Sequence, residues 1–188
     1  MKHRNLFLPL LLLAAAFPVA AADYKLDDAH SFVQFRIQHL GFSWLYGRFN
    51  TLEGSFSYDE KSPDKAGVQV AIDVASIDSN HAERDKHLRG EEFFAVKEYP
   101  KATFVSTGYQ PTGSETGRLT GNLTLRGITR PITIEVSKMG AGDDPWGGYR
   151  SGFHGTTTIA LADFGIPYDL GPAARTAELL LSIEGIKQ

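Results

Sequence analysis

The chain has 188 residues, 42% of them hydrophobic, 22% charged and 11% aromatic, with 19 Lys and Arg against 22 Asp and Glu. That balance excludes a disordered or collagen-like chain, and the net charge of −3 gives no general attraction for nucleic acid. No cysteine is present, which removes disulfides, thiolate metal sites and cysteine nucleophiles together.

Taken in chain order, Lys2, His3 and Arg4 make a basic start. An apolar run from Leu6 to Phe17, broken only by Pro9, leads to Ala20, Ala21 and Ala22. This pattern reads as a secretory signal peptide over residues 1–22, with an apolar run too short for a spanning helix. Cleavage after Ala22 would leave residues 23–188 as one domain of net charge −5, exported to the periplasm.

Beyond that point the dominant signal is alternation of apolar and polar residues with period two. Val33, Phe35 and Ile37 alternate with Gln34, Arg36 and Gln38, and Val68, Val70, Ile72 and Val74 with Gln69, Ala71, Asp73 and Ala75. The helical insert predicted next covers residues 81–89, with Asn80 and Glu83 as a capping-box-like start. Alternation resumes through Phe104, through Leu119, Leu123 and Leu125, and through Ile132, Ile134 and Val136. It ends with Ile159 and Leu161, then Leu179, Leu181 and Ile183. Turn signals lie between Gly54 and Gly67, over Pro111–Gly117 and over Gly127–Pro131. About eight strands with short connections predict an all-β antiparallel domain. Alternation leaves a barrel and a sandwich both open, and it leaves the apolar face open between a filled core and a cavity.

Polar groups give weaker signals. His81 and His87 are six residues apart, no HExxH occurs, and His30, His39 and His154 lie on separate segments, so no metal site is expected. His39 shares the phase of Val33, Phe35 and Ile37, which predicts a partly buried, hydrogen-bonded imidazole. Asp27, His30 and Ser31 imitate a hydrolase triad, but neighbouring strand residues face opposite ways and no GxSxG is present. Asp143-Asp144-Pro145 reads as a turn with Trp146 packed down. Arg84, Arg126 and Arg130 would meet a phosphate if folding gathered them at one mouth.

The ordered set Asp27-x-x-His30-Ser31-x-Val33-x-Phe35-x-Ile37-x-His39-x-Gly41, Gly47-x-Phe49, Arg84-Asp85-x-His87-Leu88, Tyr99-Pro100, Gly121-x-Leu123-Thr124-Leu125-Arg126-Gly127, Asp143-Asp144-Pro145-Trp146-Gly147-Gly148 and Asp163-Phe164-Gly165-Ile166 resembles the YceI-like family of periplasmic polyisoprenoid-binding proteins. The resemblance extends over residues 23–188. It implies an eight-stranded, lipocalin-like antiparallel β-barrel with one short helical insert, holding an isoprenoid quinone or prenyl pyrophosphate without turnover. The residues then expected to line the barrel are Val33, Phe35, Ile37, His39, Val70, Ile72 and Phe104, followed by Leu123, Leu125, Ile132, Ile134, Ile159, Leu181 and Ile183. No cofactor, nucleic-acid partner or membrane-spanning segment is expected, and a homodimer stays open. Three rivals remain at this point: an outer-membrane barrel, disfavoured by strands that read as shorter than spanning needs; an enzyme acting on a lipid-linked substrate; and a ligand-free interaction module with a filled barrel.

Overall fold

In the computed structural model, residues 21–166 and 170–188 are described. The signal peptide read over residues 1–22 lies outside them except for Ala21 and Ala22, and Ala22 already pairs with Tyr58.

Among the described residues, eleven strands combine into eight staves. The first stave is β1 (Ala22–Leu26) with β2 (Phe32–His39), the second β3 (Ser43–Phe49) with β4 (Leu52–Tyr58), and the third β5 (Gly67–Asp73) with β6 (Ile77–Asp78). The other five are unbroken: β7 (Lys101–Pro111), β8 (Thr116–Leu125), β9 (Ile128–Asp143), β10 (Tyr149–Ala160) and β11 (Thr176–Lys187). Neighbouring staves pair antiparallel in chain order. Closure comes from β11, which takes both halves of the first stave on one edge: Tyr24 opposite Lys187 in β1 and Val33 opposite Leu181 in β2. The result is a closed eight-stranded antiparallel barrel with one short helix, α1 (Ala82–Leu88). Closure removes free sheet edges, and eight strands leave an interior about wide enough for side chains or one small ligand.

Alternation decides which face is inside. Along β8, Leu119, Leu123 and Leu125 are buried while Arg118, Thr120 and Asn122 are exposed. The outer surface carries cross-strand ion pairs such as Arg118–Glu135 at 2.9 Å. The apolar face therefore points inward. Strand length argues against a membrane barrel only in part: the strands of the first three staves run from 2 to 8 residues, but the five unbroken ones run from 10 to 16. Direction of the apolar face carries that argument instead. No helix among the described residues is long and apolar enough to cross a membrane.

Several local expectations need correction. The turn expected between Gly54 and Gly67 is narrower, with Pro63–Lys65 between β4 and β5, and Gly54 lies within β4, where a Cβ would stand 2.3 Å from the Gln69 carbonyl oxygen. The turn before Pro131 is the pair Arg126-Gly127, with φ of 51° and 71°, the left-handed geometry of a two-residue hairpin. Pro131 itself stands within β9 on a stretch paired only with β8, where its missing N–H leaves no gap in a second ladder. Helix α1 is capped by His81, whose Nδ1 accepts from Arg84 N at 3.2 Å, and not by Asn80.

Candidate functional site

The barrel interior is not filled. One cavity of about 380 Å³ occupies the end that holds the β2–β3 turn and α1, and a second of about 140 Å³ lies towards the other end. Val33, Ile72, Leu123 and Leu179 line both, so the two meet at the barrel waist. The larger is within the usual range for ligand sites, roughly 300–1,000 Å³.

All fourteen residues expected to line the barrel do line one cavity or the other. Phe35, Ile37, His39, Leu125 and Ile159 face the larger, and Val70, Phe104, Ile132, Ile134, Leu181 and Ile183 the smaller; Val33, Ile72 and Leu123 serve both. Alternation found them because the stave pleat puts every second side chain in the lumen. It missed Leu45 and Phe49 of β3; the exposed aromatic residues Trp44 and Tyr46 on either side of Leu45 hide the phase there. It also missed Phe93, Phe94, Ile166 and Leu170, which enter from irregular segments with no period to read, although the Phe93-Phe94 pair after a polar helix was a usable cue.

Aromatic rings keep the lumen open by lying against glycines in the wall. A Cβ on Gly47 would stand 2.3 Å from Phe35 Cζ, one on Gly121 2.4 Å from Phe104 Cζ, and one on Gly185 2.4 Å from Phe56 Cε1. Each ring thereby occupies wall space that a side chain would otherwise claim. Tyr109, beside the smaller cavity, has its phenol pKa raised by burial, as expected among apolar neighbours.

At the larger cavity's mouth the exposed lining residues are Gln38, His39, Leu40 and His87. His39 is thus more open than its phase predicted, because the stave runs out into solvent there; among the described residues its ring makes no hydrogen bond. Helix α1 is anchored over the mouth by buried Asp85, whose Oδ1 accepts from Ser79 N at 2.8 Å and Ser79 Oγ at 2.5 Å. Arg84 lines the cavity, with its Nε donating to Ser79 Oγ at 2.8 Å. Arg126 and Arg130 line neither cavity. Arg126 donates to the carbonyls of Glu91 at 2.8 Å and Gly165 at 2.5 Å, and Arg130 to that of Asp163 at 3.2 Å, so both tie loops together at this end. The arginine trio is not gathered at one mouth.

Charge is concentrated instead at the break between β1 and β2. Arg150 of β10 donates to Asp27 Oδ2 at 2.5 Å, Glu184 Oε1 at 2.5 Å and Asp144 Oδ2 at 2.7 Å, and His30 Nδ1 meets Asp27 Oδ2 at 2.9 Å. The Arg150 guanidinium, with His30 second, lowers the Asp27 pKa to about 2. Asp27, His30 and Glu184 come close enough to suggest a metal site, but Arg150 already supplies the positive charge their carboxylates face. Ser31 Oγ donates to the Glu184 carbonyl at 3.1 Å and not to His30, so no nucleophile–base pair forms. Trp146, expected to pack down, is 79% exposed. The Asp144 carboxylate holds that turn by accepting from Trp146 N at 2.9 Å and Gly148 N at 2.8 Å, which leaves the indole outside.

With this geometry in view, residues 24–184 match the YceI-like domain. The chain belongs to the YceI-like family. A UPF0312 protein of Pseudomonas aeruginosa is 56% identical over 178 residues, covering 94% of this chain and 93% of that protein. Among solved structures, the YceI-like Campylobacter jejuni YCEI protein is 27% identical with a TM-score of 0.73, covering 81% of this chain and 90% of that one. A polyisoprenoid binding domain from Saccharophagus degradans, implicated in plant cell wall breakdown, has a TM-score of 0.66 at 17% identity, covering 89% of this chain and 99% of that domain. At that identity the likeness is one of fold. A YceI-like barrel thus accounts for the closed ring of staves, the single short helix and the apolar lumen.

Proposed function

We propose that this YceI-like protein is a periplasmic carrier that holds the tail of a polyisoprenoid lipid, an isoprenoid quinone or a prenyl pyrophosphate, in the barrel without changing it chemically. The observation that carries the reading is the pair of cavities meeting at Val33, Ile72, Leu123 and Leu179. Two chambers in series make a long, narrow, apolar space, which suits a linear hydrocarbon better than a compact solute. The Saccharophagus degradans domain of the same fold, described as polyisoprenoid-binding, lends support. An unfilled barrel also disfavours the ligand-free interaction module. Enzyme action on a lipid-linked substrate has no nucleophile–base pair among the described residues to support it.

Polar groups near the mouth are Gln38, His39, Arg84 and His87, so the tail enters first and the head group stays near α1. Titrating detergent-free protein with isoprenoid alcohols, phosphates and quinones of increasing chain length tests the reading. Affinity should rise with each added isoprene unit until the two chambers are full, because each buried methylene adds about 0.8 kcal/mol. Affinity independent of tail length, or no binding by any of them, would overturn it.

A further inference from the structure

The hairpin joining β2 to β3 carries apolar residues that the fold does not use. Leu40 is 63% exposed, Phe42 86%, Tyr46 54% and Trp44 39%. Leu40 also has φ of 53°, a left-handed conformation that costs free energy for a bulky side chain. Backbone preference does not explain a leucine held there, and most of its side chain stays in solvent. From Gln38 to Trp44 the sequence contains no Asp, Glu, Lys or Arg.

The order of residues away from the tip is informative. Phe42 stands at the tip, Trp44 follows one pleat repeat back, then Tyr46, then Arg48, in steps of about 7 Å along β3. On the adjoining strand Arg36 pairs with Tyr46 in register, and its guanidinium lies 4.4 Å from the Trp44 ring centroid. Aliphatic and phenyl groups at the tip, with indole, phenol and a guanidinium stacked on the indole behind them, is the layering of a bilayer from acyl chain to head-group interface. A protein partner would require no such order. Arg36 is paired with Glu178 at 2.6 Å and Arg48 lies 3.6 Å from Asp78, so attachment does not depend on anionic lipid. Leu40 lines the larger cavity as well as facing outward, which makes the apolar surface continuous from the hairpin tip into the lumen.

We propose that the Leu40–Tyr46 hairpin docks on a phospholipid bilayer, with Leu40 and Phe42 among the acyl chains and Trp44 and Tyr46 at head-group depth, so that the cavity mouth meets the membrane. The inference deepens the carrier reading by naming the surface its cargo crosses.

The test uses phosphatidylcholine vesicles free of anionic lipid and the Trp146→Phe variant. Trp44 is then the only indole, since the chain has two tryptophans, and Trp146 lies at the opposite end of the barrel. The expected result is a blue shift of Trp44 emission and co-sedimentation with vesicles. Phe42→Asp, at an exposed position outside the cavity lining, should weaken partitioning roughly tenfold or more and leave binding of a soluble short-chain prenyl phosphate unchanged. Absence of vesicle binding, or equal binding by Phe42→Asp, would overturn the docking proposal. So would a dimer that Phe42→Asp splits, which would assign this face to a second copy. Vesicle failure with prenyl phosphate binding intact sinks docking alone, whereas vesicle binding without any prenyl ligand sinks the carrier reading alone.

Discussion

The ring of Phe35 lies against Gly47 across the β2–β3 ladder, so closely that a Cβ on Gly47 would stand 2.3 Å from Phe35 Cζ. The ring and the glycine share one wall position, and the space saved becomes lumen. Gly47→Ala must push the ring inward. Overpacking of this kind costs about 1–3 kcal/mol, so thermal unfolding should move down modestly while affinity for a long-chain isoprenoid falls by roughly tenfold. Adding Phe35→Leu to Gly47→Ala should restore affinity. Calorimetric titration of the single and double variants checks both halves.

At the waist, Leu123 lines both chambers. Leu123→Trp should plug the junction and leave the larger chamber usable. Long-chain ligands then lose affinity while chains of two or three isoprene units bind as before. A uniform loss across all lengths would mean that the smaller chamber is not part of the path.

Asp27 ties the break between β1 and β2 to β10 through Arg150, and that contact, with His30, lowers its pKa to about 2. A carboxylate whose pKa is lower folded than unfolded stabilises the fold above its unfolded value, about 3.9, and the contribution disappears as pH falls through about 2. The native protein should therefore lose on the order of 1–2 kcal/mol between pH 4 and pH 2 through this group. Asp27→Asn should be less stable at neutral pH and show a shallower acid limb, read by urea unfolding at stepped pH. Equal acid limbs for the two proteins would count against the Arg150 pairing.

Asp85 is buried and accepts from both the backbone N–H and the hydroxyl of Ser79, which fixes α1 over the cavity mouth. Asp85→Ala strands those donors at a cost of about 1–3 kcal/mol. The loss should be local: faster amide exchange over residues 79–96 with the barrel staves still protected. Uniformly faster exchange would mean that α1 is part of the global folding unit.

What the sequence made legible follows from the range over which each signal acts. A strand pleat has a period of two residues, so the phase of Val33, Phe35 and Ile37, or of Leu119, Leu123 and Leu125, could be read within a few residues and matches the lumen. Breaks in the first three staves could not be read that way. The Asp27–Ser31 break is held by Arg150 and Glu184, more than a hundred residues distant, and nothing local announces it. Gly54 looked like the near edge of a turn region, whereas here it lies within β4 and admits a neighbouring backbone. Arg126 and Arg130 read either as solvated charges or, if clustered at a mouth, as head-group contacts, because an arginine's partner is invisible in sequence; the structure gives them backbone carbonyls. Strand β3 was ambiguous for a different reason. Trp44 and Tyr46 are bulky and largely hydrocarbon, like the lumen residue Leu45 between them, so alternation failed where the outer face is itself aromatic.

A barrel that carries a polyisoprenoid should retain it through purification. Organic extraction and mass spectrometry of protein purified from the periplasmic fraction without detergent test it most directly. The expected result is an isoprenoid lipid near one equivalent per chain, lost from a Leu123→Trp variant. Protein that emerges free of lipid, and that also fails to take up added quinones and prenyl phosphates, would contradict it.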